Sequence, residues 1–281
     1  MTFANAEAAE FWAGMAPTWR ELEDQLDEVA GPPGRWAMER LGLKPGDCVL
    51  DLGCGTGVTT VALAGAVGPE GRVVGLDIAE EMLQAGRDRA SRGGIKNVEF
   101  VHGDTQVHDF GRVVFDAAFS RFGVMFFADP EAAFANVHRF LRPGGRMSFV
   151  CWQSGVQNEW MLIPGAAALA ALGATPPMPD PDQPGPFAFA DPERVSSILE
   201  KAGFRSIAID QRNDMVVTEE DQIPEVARTS SRVGMVRELL RDADDATVRR
   251  VLGAIEDAMR ARLEGGQVQA TRGVNLVSAV A

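Results

Sequence analysis

A chain of 281 residues, 46% hydrophobic and 24% charged, holds enough apolar material for one large domain or a domain with an insertion. Its 40 acidic and 27 basic residues give a net charge of −13, which repels polyanions and argues against a nucleic-acid partner. No CxxC pair links Cys48, Cys54 and Cys151, the N-terminus is acidic, and no apolar run is long enough for a bilayer. A cytoplasmic protein with no membrane partner is expected.

Phe11, Met15, Trp19, Leu22 and Leu26 recur at helical spacing, so the first forty or so residues read as helical. Gly31-Pro32-Pro33-Gly34 is expected to interrupt them before a short helix around Met38 and Leu41. From Cys48 onward the pattern changes. Strand-length apolar runs at 48–52, 73–76, 98–101, 115–119 and 147–151 alternate with helical stretches at 58–67, 80–92 and 131–141. Such alternation is the mark of an α/β fold with a mostly parallel sheet covered on both faces. Cys48 and Cys151 fall in these runs and are expected to be buried small hydrophobes.

Turn chemistry supports the scheme. Gly68-Pro69-Glu70-Gly71 separates a helix from the second strand, and Arg142-Pro143-Gly144-Gly145 releases the fifth. Residues 153–190 read as a loop region, proline-rich from Ala174 to Pro186. Asp191 then caps a helix that starts at Pro192. A short strand is expected at Ser206 to Asp210, a helical insertion over 219–264, and a last strand from Gly273 to Ala281.

The segment Asp51-Leu52-Gly53-Cys54-Gly55-Thr56-Gly57 follows a strand and opens a helix. Its glycines let the backbone turn sharply and approach a ligand, and the amides of the next helix can bond a polar group. In a dinucleotide fingerprint the third glycine falls three residues after the second; here that position is Val58. Asp51 also precedes the loop, where an anion would repel a diphosphate and attract a cofactor carrying ammonium and sulfonium groups. Asp77 ends the second strand and can accept ribose hydroxyls, or else cap the following helix. Ile78 and Met82 offer apolar contact to an adenine, and Asp104, in Gly103-Asp104-Thr105, can accept its amino group or lie exposed in a loop.

Taken together, these motifs resemble the class I S-adenosylmethionine-dependent methyltransferases: DLGCGTG the first motif, Val74 to Asp77 the second, Gly103-Asp104 the third. Phe115 to Ser120 and LRPGGRMSFV look like their fourth strand and the segment entering their fifth. The likeness runs from Leu43 to Trp152 and is nearest to the branch holding the ubiquinone and menaquinone biosynthesis methyltransferases. It implies a Rossmann-like doubly wound seven-stranded sheet, mostly parallel with the last strand reversed. It also implies N-terminal helices (1–42) as a lid, a methyltransferase domain over 43–281 and a cap built from 153–190 and 219–264. By the same resemblance, Asp51 and Gly53 to Gly57 hold the methionine portion, Asp77 the ribose, Asp104 with Thr105 the adenine, and Ser120 and Arg121 border the methyl. S-adenosyl-L-methionine is the implied cofactor and S-adenosyl-L-homocysteine the product.

Methyl transfer from a sulfonium is a direct displacement, served by positioning and exclusion of water. No side chain stands out as a general base: His102 and His138 read as structural, His108 lies in a loop near the adenine region from which it can approach the site, and the chain has no tyrosine. No metal is expected, since ligand spacings are absent. Trp12 and Trp19 share a helix face and can serve as core or as a lid over the sulfonium. Phe122, Met125 and Trp152, with the loop to Trp160, suggest a pocket for a small apolar or aromatic acceptor methylated at O, N or C. Arg121 can pair with an acceptor carboxylate or with Asp129. The alternatives are a non-catalytic module binding the same cofactor and, further off, a nicotinamide oxidoreductase. The expected partner is a small molecule, with a homodimer left open.

Overall fold

Strands whose side chains are apolar on both sides need cover on both faces, and the alternation from Cys48 to Trp152 supplies it. The computed structural model describes residues 4–175 and 183–281. Its strands are β1 (Cys48–Leu52), β2 (Arg72–Asp77), β3 (Val98–His102), β4 (Phe115–Arg121) and β5 (Leu141–Trp152). The helices between them are α3 (Val58–Val67), α4 (Glu80–Arg92) and α5 (Pro130–Phe140). Asp129 starts α5 by accepting the Ala132 amide at 2.9 Å, with Pro130 at the first helical position.

Two strands close the sheet, β6 (Arg205–Glu219) and β7 (Gln267–Val280), giving the order β3-β2-β1-β4-β5-β7-β6. Pairs β3–β2, β2–β1, β1–β4 and β4–β5 are parallel, whereas β7 runs antiparallel to β5 from Arg146↔Val280 to Trp152↔Val274. Both final strands are longer than their sequence cores at 206–210 and 273–281 suggest. The strand order reverses between β1 and β4, so the chain leaves these neighbours toward opposite faces. That opens a crevice at their carboxyl ends.

The N-terminal residues form α1 (Ala6–Glu21) and α2 (Glu23–Leu41). The expected interruption at Gly31-Pro32-Pro33-Gly34 does not occur: α2 runs through it and ends on Gly42 at φ 56°. Packing overrides the local cost of the prolines, because Gly31, Pro33 and Gly34 are buried and the small residues let α2 lie close to β4 and β5. Pro17 is likewise accommodated inside α1.

The chain divides into two compact units. The first comprises Met1–Trp152, Pro181–Gln211 and Val274–Ala281. It also contains α7 (Pro192–Lys201), started by Asp191 as expected. The second comprises Gln153–Asp180 and Arg212–Gly273. Within it α6 (Glu159–Leu172), α8 (Ile223–Ser230), α9 (Gly234–Leu239) and α10 (Asp245–Arg260) share a core of Ile163, Ala168, Ile223, Val236, Val251 and Ile255.

The helix α6 corrects the reading of 153–190 as a loop region. Pro164 and Gly165 lie inside it, and their burial in this unit's core offsets the lost backbone bond. The expected proline-rich loop falls partly on residues 176–182, outside the described residues. Asn158 fastens the start of α6 to the middle of β7: its side chain donates to the Gly273 carbonyl at 3.0 Å and accepts the Gly273 amide at 3.1 Å. Trp160, expected to wall the acceptor pocket, packs against this core and donates to Asn158 Oδ1 at 3.2 Å. No helix among the described residues is long and apolar enough to cross a membrane.

Candidate functional site

The carboxyl ends of β1, β2 and β4 bring the first-motif residues together. Asp51 is fully buried at the end of β1, and its Oδ2 accepts the hydroxyls of Thr59 and Thr60, each at 2.7 Å. Among the described residues its other oxygen, Oδ1, has no hydrogen-bond partner. Burial pushes this carboxyl up to about 6 against the pull of the two threonines and Arg121. An acid so placed lacks a cation or donor on its open side.

Three glycines shape the loop, at φ 62°, 55° and 76° for Gly53, Gly55 and Gly57. Side chains at Gly53 and Gly57 are excluded by protein. A Cβ on Gly53 lies 3.0 Å from Gly123 Cα, and one on Gly57 lies 2.8 Å from the Phe100 ring and 2.9 Å from Gly86 Cα. A Cβ on Gly55 meets nothing within 4 Å. The middle glycine therefore faces free space while its neighbours serve close packing. Cys54 is buried beside the strand β2, its thiol pushed up by burial, with Sγ 2.8 Å from where a Cβ on Gly75 would stand.

Asp77 closes β2 and is 9% exposed. Its Oδ2 accepts the Gly55 amide at 2.7 Å and its Oδ1 the Ala79 amide at 2.9 Å. Burial raises this carboxyl too, opposed by those amides. The residue thus ties the glycine loop to the start of α4, and the helix-start role read from sequence is present. Ile78 is half-buried and its carbonyl lies 3.0 Å from His102 Nε2. Met82 is buried with Ala16 and Ala79, and Trp12 and Trp19 pack on the same cluster.

Gly103 follows β3, where a Cβ would stand 2.5 Å from His108 Nδ1. Burial holds the His108 ring below the ordinary histidine range. Asp104 does not lie exposed. It is 5% accessible, accepting the Asn5 amide on Oδ2 and the Gln106 amide on Oδ1, both at 2.9 Å. Thr105 is buried and its carbonyl accepts Asn136 Nδ2 at 2.9 Å.

At the end of β4, Ser120 is fully buried and donates to the Leu52 carbonyl at 2.8 Å, tying β4 to β1. The guanidinium of Arg121 meets Asp27 of α2 rather than Asp129. Gly34 makes room for it, since a Cβ there would lie 2.6 Å from Arg121 Cδ. Phe122 holds φ 60°, a left-handed conformation costly for a bulky residue, and stacks on Trp152 at 3.8 Å between ring centroids. Met125 is buried, and its sulfur lies 3.4 Å from the Trp152 amide.

The substrate-side candidates therefore fall into two groups. Phe122, Met125 and Trp152 adjoin one another past β4. Trp12 instead meets Trp19 and Phe126 edge to face, at 5.3 and 5.0 Å. Sequence reasoning missed Glu23, Asp27, Gly34 and Gly123, all of which act on the site from residues distant in the chain. Cys48, expected to be buried, is half-exposed, while Cys151 is buried. His138 abuts Gly203 and Phe204, so its environment is structural.

Residues 49–145 match the family described as methyltransferase domain. A ubiquinone/menaquinone biosynthesis C-methyltransferase of Marinomonas is 39% identical over 114 residues, 40% of this chain and 45% of that protein. A demethylmenaquinone methyltransferase of Geobacillus stearothermophilus is 39% identical over 108 residues, 38% of this chain and 46% of that protein. The chain thus spans about half the length of these relatives. A solved S-adenosylmethionine-dependent methyltransferase from Aquifex aeolicus aligns over 93% of this chain and 97% of its own, at TM-score 0.52 and 19% identity. That likeness shows the fold.

Proposed function

We propose that this chain, whose residues 49–145 match the methyltransferase domain family, is a class I S-adenosylmethionine-dependent enzyme that moves a methyl group from that cofactor to a small-molecule acceptor. The observation that carries the reading is Asp51: a fully buried carboxylate beside the glycine loop with one oxygen unpartnered among the described residues. Such a group suits the ammonium of the cofactor's methionine end, which supplies the charge and donor it lacks. The residues present fit the cofactor.

When bound, S-adenosylmethionine supplies a methyl group already activated on a sulfonium. Asp51 holds the ammonium, and the open face of Gly55 admits a ligand against the backbone. Asp77 and Asp104 keep their carboxylates at the ends of β2 and β3 for the ribose and the adenine, and Thr105, Ile78 and Met82 line the same side. Each carboxylate oxygen already accepts one amide and retains a further lone pair. Ser120 and Arg121 border the reacting end. The helices α1 and α2 act as a lid, with Trp12 and Trp19 packed on Met82 and Ala79.

The stacked Phe122 and Trp152, with Met125, present a flat apolar wall that favours an aromatic ring and keeps water out. The names of the relatives point to carbon methylation in quinone biosynthesis, and we assign the acceptor to that class, an aromatic ring with an electron-rich carbon. The test is mass spectrometry after incubation with S-adenosylmethionine and a panel of hydroquinones, phenols and amines. The expected result is a hydroquinone that gains one methyl on carbon, together with S-adenosylhomocysteine. Methylation confined to amines would overturn the acceptor class, and no transfer to any acceptor would overturn the activity.

A further inference from the structure

Glu23 and Asp27 stand four residues apart at the start of α2, on one face of the helix. Each carboxylate grips a different part of the site. Glu23 accepts the Thr56 hydroxyl on Oε1 and pairs through Oε2 with Arg89 of α4. Arg89 closes the triangle by donating from Nε to the Thr56 carbonyl at 3.2 Å. Thr56 is thereby held by side chain and backbone together, between two glycines in left-handed conformations. The partners are half-buried, with side-chain exposures of 29% for Arg89 and 23% for Glu23. Asp27 in turn pairs with Arg121, the last residue of β4.

A loop with three glycines has much conformational freedom to lose, and nothing in its own sequence fixes Thr56. We propose that Glu23 is a positioning residue that, by holding Thr56 and Arg89 at once, fixes the glycine loop in its binding conformation, with Asp27 fixing Arg121 from the next turn. The inference rests on the reading of this loop as the cofactor cradle. It makes the seating of α2 and the affinity for cofactor two expressions of one equilibrium, so each strengthens the other.

Two readouts test it, one of them independent of any ligand. In the cofactor-free protein, amide exchange at Gly55, Thr56 and Gly57 should be about tenfold faster in both Glu23→Ala and Thr56→Val. Calorimetry with S-adenosylhomocysteine should show affinity about tenfold weaker in both variants, with part of the loss recovered in Glu23→Gln, which keeps an acceptor for the Thr56 hydroxyl. Exchange and affinity within about twofold of the unaltered protein in Thr56→Val would overturn the proposal. That variant removes a single hydroxyl and decides the matter even if Glu23→Ala fails to fold. Should the unaltered protein not bind S-adenosylhomocysteine, the functional reading fails and the exchange rates alone still judge Glu23.

Discussion

The two glycines Gly55 and Gly57 share a left-handed backbone but differ in what surrounds them, so alanine should affect them differently. At Gly57 the added methyl stands 2.8 Å from the Phe100 ring and 2.9 Å from Gly86 Cα, and φ is 76°. The backbone term costs about 1–2 kcal/mol and the overpacking about 1–3 kcal/mol, for a total of about 2–5 kcal/mol. In a chain of 281 residues, with an unfolding entropy of about 2.1 cal/mol/K per residue, that lowers the midpoint of thermal unfolding by about 3–8 °C. At Gly55, where φ is 55° and a methyl meets nothing within 4 Å, only the backbone term applies. Gly55→Ala should lower the midpoint by only about 2–3 °C and yet weaken S-adenosylhomocysteine binding by more than about tenfold, because the methyl fills ligand space. Thermal unfolding monitored by circular dichroism, paired with calorimetric titration, reads both quantities. Equal destabilisation by the two substitutions, or unaltered affinity in Gly55→Ala, would refute the division into a packing glycine and a ligand glycine.

Three further outcomes follow from the site. Burial lifts Asp51 to about 6, so the folded chain holds this proton more tightly than the unfolded one. Its contribution to stability is full below the unfolded pKa and declines by about 3 kcal/mol as pH rises through the folded value. Asp51→Asn should flatten that decline in the cofactor-free protein, leaving the smaller slope of the same sign from Asp77, as unfolding at several pH values would show. Cofactor binding favours the ionised carboxylate, so affinity should climb between about pH 5 and 7 in the unaltered protein and far less in Asp51→Asn, checked by titration across that range. Phe122→Gly relieves about 1–2 kcal/mol of backbone strain but loses a ring stack worth about 0.5–1.5 kcal/mol and, in addition, the burial of a half-buried ring, about 1–2 kcal/mol. The unfolding midpoint should therefore fall by only about 1–3 °C and cofactor affinity should hold, while kcat/KM for the acceptor falls about tenfold or more in steady-state assays.

Much of this architecture is legible in the amino-acid order. The strands and helices from Cys48 to Trp152 lie within a few residues of their apolar runs, except that β5 starts at Leu141 and takes in Arg142-Pro143-Gly144-Gly145, which the sequence suggests as a turn before the strand. The glycine loop, Asp77 and Asp104 are local features that a linear reading can find. Other features depend on packing. The helix α2 passes through two prolines because its small residues let it lie against the sheet, and α6 keeps Pro164 because a core forms around it. Arg121 finds Asp27 across 94 residues and Asp104 meets the amide of Asn5 across 99, and no periodicity reports such pairs. The acidic pair Glu23 and Asp27 was visible as a spacing of four, but nothing in the order of residues says that the side chains they meet belong to the site.

The central claim is that the loop from Asp51 to Gly57 cradles S-adenosylmethionine. Calorimetric titration of the purified protein with S-adenosylhomocysteine, beside Asp51→Asn and with NAD as the control ligand, tests it most directly. One site per chain with about micromolar affinity, lost in the variant and absent for NAD, is the result predicted. Binding of NAD in preference to S-adenosylhomocysteine, or an unaltered affinity in Asp51→Asn, would contradict it.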